Sequence, residues 1–169
     1  MDLTTISNYL SNYGLLCIFI IIFLEYINLP GLPGGIIIPL VGAWVASTKT
    51  SFLLALLVSV IAGLLGSILL YLLGLYGGEV IIEKFLRRFP KYRERMDNIF
   101  EKLKSWGNAG IFIGKLIPAV RTIISVPAGV IKINFIKFTI YSTLGILVWN
   151  GVLMALGYIF GDFMVMSIK

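Results

Sequence analysis

Histidine is absent from this chain, and cysteine occurs once, at Cys17. A metal site built from histidine and cysteine is therefore excluded, and no disulfide can form within the chain. No lysine or arginine precedes Lys49, so the basic leader of a secretory signal peptide is missing. Nucleotide-binding loops and the common hydrolase motifs are also missing, so we expect neither an enzyme nor a cofactor or metal site.

Charged residues are scarce as well, at 13% of the chain, whereas soluble domains carry roughly 25%. Hydrophobic residues make up 59% of the 169 residues, and the mean hydropathy is +0.98. This composition predicts an all-α polytopic integral membrane protein with a single membrane domain over residues 1–169. Long apolar runs predict membrane spans over about 9–27, 50–78 and 138–161.

Most of the charge lies between residues 79 and 106, which hold eight basic and five acidic residues. Beyond Pro90, apolar residues recur at helical spacing, which predicts an amphipathic helix on the membrane surface over about 79–106. The positive-inside rule places this segment in the cytoplasm, next to the plasma membrane. We interpret its basic residues first as a topology anchor and second as lipid-headgroup ligands, and nucleic-acid binding is not expected.

Two apolar stretches, about 28–48 and about 109–131, contain too much proline and glycine for straight spans. In a bilayer, broken backbone is tolerated only where protein buries it or where it lines a wet cavity. Both stretches are therefore predicted to be re-entrant hairpins. With the charged segment inside, they enter from opposite sides, which predicts an inverted repeat. The residues that break the hairpins are Pro30, Pro33, Gly34, Gly35, Pro39, Pro118, Pro127 and Gly129.

The second stretch places Lys115 and Arg121 inside an apolar run. A charge at mid-membrane costs at least ~2.5–3.5 kcal/mol on insertion scales and is usually functional. The planar fork of Arg121 suits phosphate or carboxylate, and Thr122 and Ser125 add hydroxyl donors. A half-helix that began after Pro118 would add free backbone N–H groups. The stretch therefore predicts a binding site for an anion such as phosphate.

Glu25 lies near the far end of the first predicted span. It is expected to pair with Arg121 or Lys115 when the site is empty, and to gate the site or couple it to protons. The alternative is a static ion pair that only locks the two repeats together. In the last span, Asn150 is expected to hydrogen-bond a neighbouring helix, with a substrate contact as the second interpretation.

Small residues at four-residue steps, Ser59, Gly63 and Ser67, interrupt the second predicted span. Residues of this size let membrane helices approach closely, although glycine is common in such helices for other reasons as well.

Leu24 and Glu25, followed by LPGLPGGIIIPLVG, and later GKLIPAVRTIISVPAG resemble the two signature stretches of the DedA family. This family is also known as VTT-domain or SNARE-associated Golgi-type membrane proteins. The resemblance covers roughly residues 10 to 161. It implies paired re-entrant hairpins, lipid transport and, in bacterial members, recycling of undecaprenyl phosphate that depends on the proton-motive force.

The resemblance also implies roles for particular residues. Glu25 matches the membrane acid of the family, and Arg121 matches its essential arginine. Lys115 stands where many members have arginine, so the charge is kept and the bidentate fork is lost. Gly35 stands where many members have an acid, so Glu25 would act without a second carboxylate.

Together these observations predict translocation of a phosphate-bearing lipid, in the first place a polyprenyl phosphate, across the plasma membrane. Membrane lipids are then its partners, and the sequence leaves homo-oligomerisation undecided. Two other hypotheses remain: a phospholipid scramblase that ignores the headgroup, and a membrane scaffold that transports nothing.

Overall fold

A computed structural model describes residues 3–27, 34–48, 50–88, 90, 93–118 and 120–167. These residues form seven α-helices and no strand, which confirms the all-α class for the described part of the chain. The helices are α1 (Leu3–Tyr26), α2 (Gly34–Ser47), α3 (Phe52–Arg88), α4 (Arg93–Trp106), α5 (Asn108–Lys115), α6 (Ser125–Val130) and α7 (Phe135–Ser167).

Within the described residues, two stretches are long and apolar enough to cross a membrane. They are Phe52–Gly78 of α3 and Phe135–Gly161 of α7, with mean hydropathies of 2.7 and 1.8. They coincide with the predicted spans 50–78 and 138–161. Shorter apolar stretches within the described residues are Tyr13–Tyr26 of α1 and Gly35–Ser47 of α2, and the span over about 9–27 stays a prediction.

The predicted surface segment 79–106 divides into the end of α3 and the whole of α4. Gly78 has φ 55° and ψ −154°, a conformation that glycine adopts readily, and it kinks α3 where the apolar span gives way to charge. On α4, Met96, Ile99 and Leu103 are buried while the charged side chains described around them are exposed. This part of the segment is therefore an amphipathic helix, and its position on the cytoplasmic surface of the membrane stays a prediction.

The chain divides into two compact units, and α3 and α7 contribute residues to both. The first unit comprises Met1–Gly63 and Leu147–Lys169, and the second comprises Leu64–Ile146. Each unit thus contains one of the two proline-broken stretches.

In the first unit, α2 packs directly on the backbone of α7. A Cβ atom on Gly157 would overlap the carbonyl oxygen of Pro39, and one on Gly42 would overlap the carbonyl oxygen of Met154. A Cβ on Gly161 would lie 2.6 Å from the Cα of Ala43. Glycine at these positions therefore lets the two helices touch without side chains between them.

In the second unit, α6 packs on α3 in the same manner. A Cβ on Gly74 would overlap the carbonyl oxygen of Val126, and one on Gly129 would overlap that of Tyr71. The ring of Tyr71 stacks on Phe138 of α7 with centroids 4.5 Å apart, and its hydroxyl donates to the carbonyl oxygen of Ile133. These contacts hold α6 against α3, and α3 against α7, within this unit.

The first broken stretch, about 28–48, contains α2, with Pro39 inside the helix. Pro30 and Pro33 lie outside the described residues. The second stretch, about 109–131, contains α5, a series of turns and α6. The re-entrant course of the two stretches and the inverted repeat stay predictions.

Candidate functional site

Lys115, the last residue of α5, is 1% exposed, and its ammonium group hydrogen-bonds to groups from three parts of the second unit. The Nζ atom donates to the Oγ of Ser67 at 2.8 Å, to the carbonyl oxygen of Arg121 at 2.8 Å and to the Oγ of Ser125 at 2.9 Å. A lysine ammonium has three protons, so these three acceptors can use all of them. Lys115 therefore links α3, the turns after α5 and the first residue of α6.

The bend that brings these groups together follows from the sequence of the second stretch. Pro118 lacks a backbone N–H and cannot continue a helix by donating to an earlier carbonyl. The chain after α5 instead runs through turns until α6 begins at Ser125. Gly145 of α7 leaves room for the lysine stem, because a Cβ there would lie 2.5 Å from the Cβ of Lys115.

Arg121 and Thr122 lie within these turns and are 3% and 7% exposed. The backbone N–H of Arg121 donates to the carbonyl oxygen of Ile117 at 2.9 Å, while its carbonyl accepts from Lys115. The backbone at Arg121 is thus held from both sides. A charged group buried to this degree is stable only with polar partners or a bound counter-ion.

The predicted site residues Lys115, Arg121 and Ser125 are therefore brought together, with Thr122 beside Arg121 in the chain. The expected half-helix directly after Pro118 does not form, because α6 starts only at Ser125 and has six residues. The N–H groups of Val120, Arg121 and Ile124 donate to backbone carbonyls three or four residues earlier. The expectation that backbone N–H groups here are free for an anion is wrong for these three residues.

Ser67 also belongs to this candidate site, although the sequence pattern did not indicate it. Its four-residue spacing from Ser59 and Gly63 favours close helix packing, whereas in the structure it is 0% exposed and accepts from Lys115. A hydroxyl inside an uncharged span is the one signal that could have marked it. No local pattern pairs it with a lysine 48 residues further along the chain.

The first unit contains a second buried polar cluster, next to Glu25. The Tyr26 hydroxyl donates to Asn150 Oδ1 at 3.0 Å, and Asn150 Nδ2 donates to the carbonyl oxygen and the Oγ of Ser59 at 3.4 and 3.3 Å. Asn150 and Ser59 are 0% exposed and Tyr26 is 1% exposed. The expected helix-to-helix role of Asn150 is confirmed, since its amide joins α1, α3 and α7.

Glu25 is 3% exposed and belongs to the first unit, whereas the lysine and arginine belong to the second. Its pairing with Lys115 or Arg121 stays a prediction.

The residues predicted to break the hairpins have different surroundings. Gly35 is exposed, and a Cβ there would meet no atom within 4 Å. Pro118 is exposed, whereas Pro127 and Gly129 are buried within α6. Gly34 is the first residue of α2.

Comparison of the sequence with known proteins finds a matching family and several relatives. Residues 32–159 match the family model of the VTT domain. Undecaprenyl phosphate transporter A of Staphylococcus aureus is 30% identical over 161 residues, which cover 93% of this chain and 79% of that protein. The Bacillus subtilis protein of the same name is 28% identical over 160 residues, covering 95% and 78%. Inner membrane protein YqjA of Escherichia coli is 31% identical over 166 residues, covering 95% and 74%. No solved structure matches the chain.

Proposed function

Since this chain belongs to the VTT-domain family of membrane proteins, also called the DedA family, we propose that it transports a phosphate-bearing lipid across the plasma membrane. The proposed substrate is a polyprenyl phosphate such as undecaprenyl phosphate. The proposed transport leaves the covalent structure of this lipid unchanged. The observation that carries the proposal is the burial of Lys115 and Arg121 together in a proline-broken apolar stretch. The names of two relatives, undecaprenyl phosphate transporter A, support the substrate class.

Arg121 is the proposed principal ligand of the phosphate. Its guanidinium is always charged and can form two parallel hydrogen bonds to phosphate oxygens, which lysine cannot do. Thr122 follows it directly and supplies a hydroxyl donor. Both side chains are buried, so a phosphate bound there would be largely removed from water. Charge-assisted hydrogen bonds are stronger in such surroundings than in water.

In this proposal, Lys115 mainly holds the backbone of the phosphate-binding segment in place. Its ammonium holds the backbone carbonyl of Arg121, so it fixes the segment that presents the guanidinium. Its positive charge also favours an anion nearby. A direct bond from Lys115 to the phosphate would require release of one of its three present acceptors.

Ser125 can serve the lysine and the lipid at once. Its oxygen accepts from Lys115 at 2.9 Å, and this bond does not use the hydroxyl proton. The same hydroxyl can therefore donate to a phosphate oxygen. Ser125 rather than Ser67 is assigned this role because it directly follows the turns that carry Arg121 and Thr122, whereas Ser67 lies on α3.

Glu25 is the proposed gating or proton-coupling group. It is a buried carboxylate at the end of α1, directly before a tyrosine that is fixed by Asn150. The transport plan that we propose is an inverted repeat of two re-entrant hairpins, with the charged segment 79–106 on the cytoplasmic side.

Lipid translocation in proteoliposomes tests the proposal. Wild type and Arg121→Ala are compared for movement of a polyprenyl phosphate and of a zwitterionic phospholipid, with and without a pH gradient. Lys104→Ala, which removes an exposed cation from α4, is the matched control. We expect selective movement of the polyprenyl phosphate, lost in Arg121→Ala and kept in Lys104→Ala.

Two other results would overturn the proposal in different ways. Equal movement of both lipids, regardless of the gradient, would identify a scramblase. No movement by folded, inserted wild type would favour a scaffold. A response of wild type to the gradient that is missing in Glu25→Gln would support the role of Glu25.

A further inference from the structure

A cleft in the second unit separates α4 from α5 and the turns that follow it. It has a volume of about 380 Å³. This is near the lower end of the ~300–1,000 Å³ range of small-molecule sites, enough for a headgroup and the upper part of one chain. The cleft is distinct from the buried lysine cluster, because Lys115, Ser67 and Ser125 do not line it.

The α4 wall of the cleft contains a polar row that carries both signs of charge, beside the apolar Ile99 and Leu103. Glu94, Asn98 and Lys102 follow one another at four-residue steps, so they lie on one face of the helix at successive turns. The Nζ of Lys102 lies 5.6 Å from the centroid of the Trp106 ring, which also lines the cleft. A carboxylate, an amide and an ammonium are thus presented in a row along one wall.

The opposite wall is apolar and partly exposed, since Ile113 of α5 and Ile117 of the following turn are each 38% exposed. On the α4 side, Trp106 is 47% exposed at the end of the polar row. Gly110 and Gly114 line the same cleft and contribute no side chain to fill it. Apolar surface of this kind is stabilised when a hydrocarbon chain covers it.

We propose that this cleft binds a zwitterionic phospholipid. The positive headgroup amine would lie beside Glu94, and Lys102 with the amide of Asn98 would hold the phosphate. The acyl chain would run over Trp106 and the apolar wall. An anionic lipid would have no positive group to place beside Glu94, so the wall favours a headgroup that carries both charges. Tryptophan is common at the headgroup level of membranes, which suits this arrangement.

This inference does not rest on the proposed transport. It concerns a resident lipid that covers the surface helix. The apolar wall leads directly into the turns that carry Arg121, so a bound lipid would also stabilise that segment.

Native mass spectrometry of the full chain, titrated with short-chain lipids of equal chain length, tests the proposal. The probes are phosphatidylethanolamine, phosphatidylglycerol and diacylglycerol. Wild type should bind phosphatidylethanolamine about fivefold or more tighter than either of the others, a difference within reach of one well-placed charge pair. Phosphatidylglycerol binding as tightly as phosphatidylethanolamine would overturn the assignment of a zwitterionic ligand.

Matched charge reversals locate the site. Lys102→Glu and Glu94→Lys should each weaken phosphatidylethanolamine binding about fivefold or more, because each places like charges together. Lys104→Glu and Glu101→Lys make the same changes at exposed α4 positions outside the cleft and should leave the affinity unchanged. Equal effects of cleft and control variants would show surface adsorption of lipid only.

A filling variant tests the cleft without changing charge. Ile113→Trp should occupy the cleft and abolish the preference for phosphatidylethanolamine, whereas Ile136→Trp, at a 66% exposed position of α7, should not. Both variants must melt within a few degrees of wild type for the comparison to count. Retention of the preference by a folded Ile113→Trp protein would contradict the proposal.

Discussion

The ammonium of Lys115 donates to the backbone carbonyl oxygen of Arg121 at 2.8 Å. One cation of the second stretch thus holds the main chain of the other, so their side chains need not compete for the same ligand. From the sequence, Lys115 and Arg121 were both expected to bind the phosphate, whereas this bond indicates a different role for each residue. Lys115 fixes the segment, and in the proposed mechanism the guanidinium of Arg121 binds the phosphate.

Loss of the Lys115 ammonium should destabilise the protein. Lys115→Met leaves the Ser67 and Ser125 hydroxyls and the Arg121 carbonyl without their buried donor, and we expect a loss of about 2–4 kcal/mol in the free energy of unfolding. Lys137→Met, at an exposed position of α7, is the control and should be nearly neutral. Thermal unfolding in detergent measures both, and equal stability of the two variants would refute the structural role of Lys115.

Ser67→Ala and Ser125→Ala should separate structure from transport. Each removes one acceptor of the Lys115 ammonium, so each should cost about 1 kcal/mol of stability. Only Ser125→Ala should also reduce translocation of a polyprenyl phosphate, because only Ser125 is proposed to touch the lipid. Proteoliposome rates corrected for folded protein make the comparison. A deeper transport defect in Ser67→Ala than in Ser125→Ala would contradict the assignment.

Tyr26→Phe should weaken the polar cluster of the first unit. It removes the 3.0 Å bond to Asn150 Oδ1 and leaves that oxygen buried, which should cost about 1 kcal/mol in a membrane setting. Tyr76→Phe, at an 84% exposed position of α3, makes the same chemical change and should be neutral. Melting temperatures compare the two, and a stable Tyr26→Phe protein would mean that Asn150 has no need of this donor.

Gly129→Ala should be far more damaging than Gly35→Ala. The new Cβ at Gly129 would overlap the carbonyl oxygen of Tyr71, and separating α6 from α3 should cost about 2 kcal/mol or more. At Gly35 the new Cβ would meet nothing within 4 Å, and alanine favours the helix. Unfolding in detergent gives both values, and equal tolerance of the two changes would argue against close packing of α6 on α3.

Local patterns of charge and hydrophobicity in the sequence were sufficient to predict several of the helices. The uncharged runs identified the apolar parts of α3 and α7, and the recurrence of apolar residues beyond Pro90 identified α4. Asn150 was correctly expected to bond a neighbouring helix, because an amide inside an uncharged span requires a partner.

Other features could not be read from the sequence, since they depend on contacts distant in the chain. The bond between Lys115 and Ser67 joins residues on two helices, and no spacing rule relates them. The late start of α6 at Ser125 arises from backbone bonds in the preceding turns, which proline and glycine permit but do not specify. The kink at Gly78 was also missed, because glycine occurs throughout this chain and only the backbone shows which one bends it.

Direct binding to Arg121 tests the central claim most closely. The affinities of farnesyl monophosphate and farnesol, which share one prenyl chain and differ in the phosphate, are measured for wild type and Arg121→Gln by microscale thermophoresis in detergent. We predict that Arg121→Gln weakens farnesyl monophosphate binding about tenfold or more, the value of one lost charge-assisted pair, and leaves farnesol binding unchanged. Unchanged farnesyl monophosphate affinity in folded Arg121→Gln protein, or an equal loss for farnesol, would contradict the role of Arg121 as the phosphate ligand.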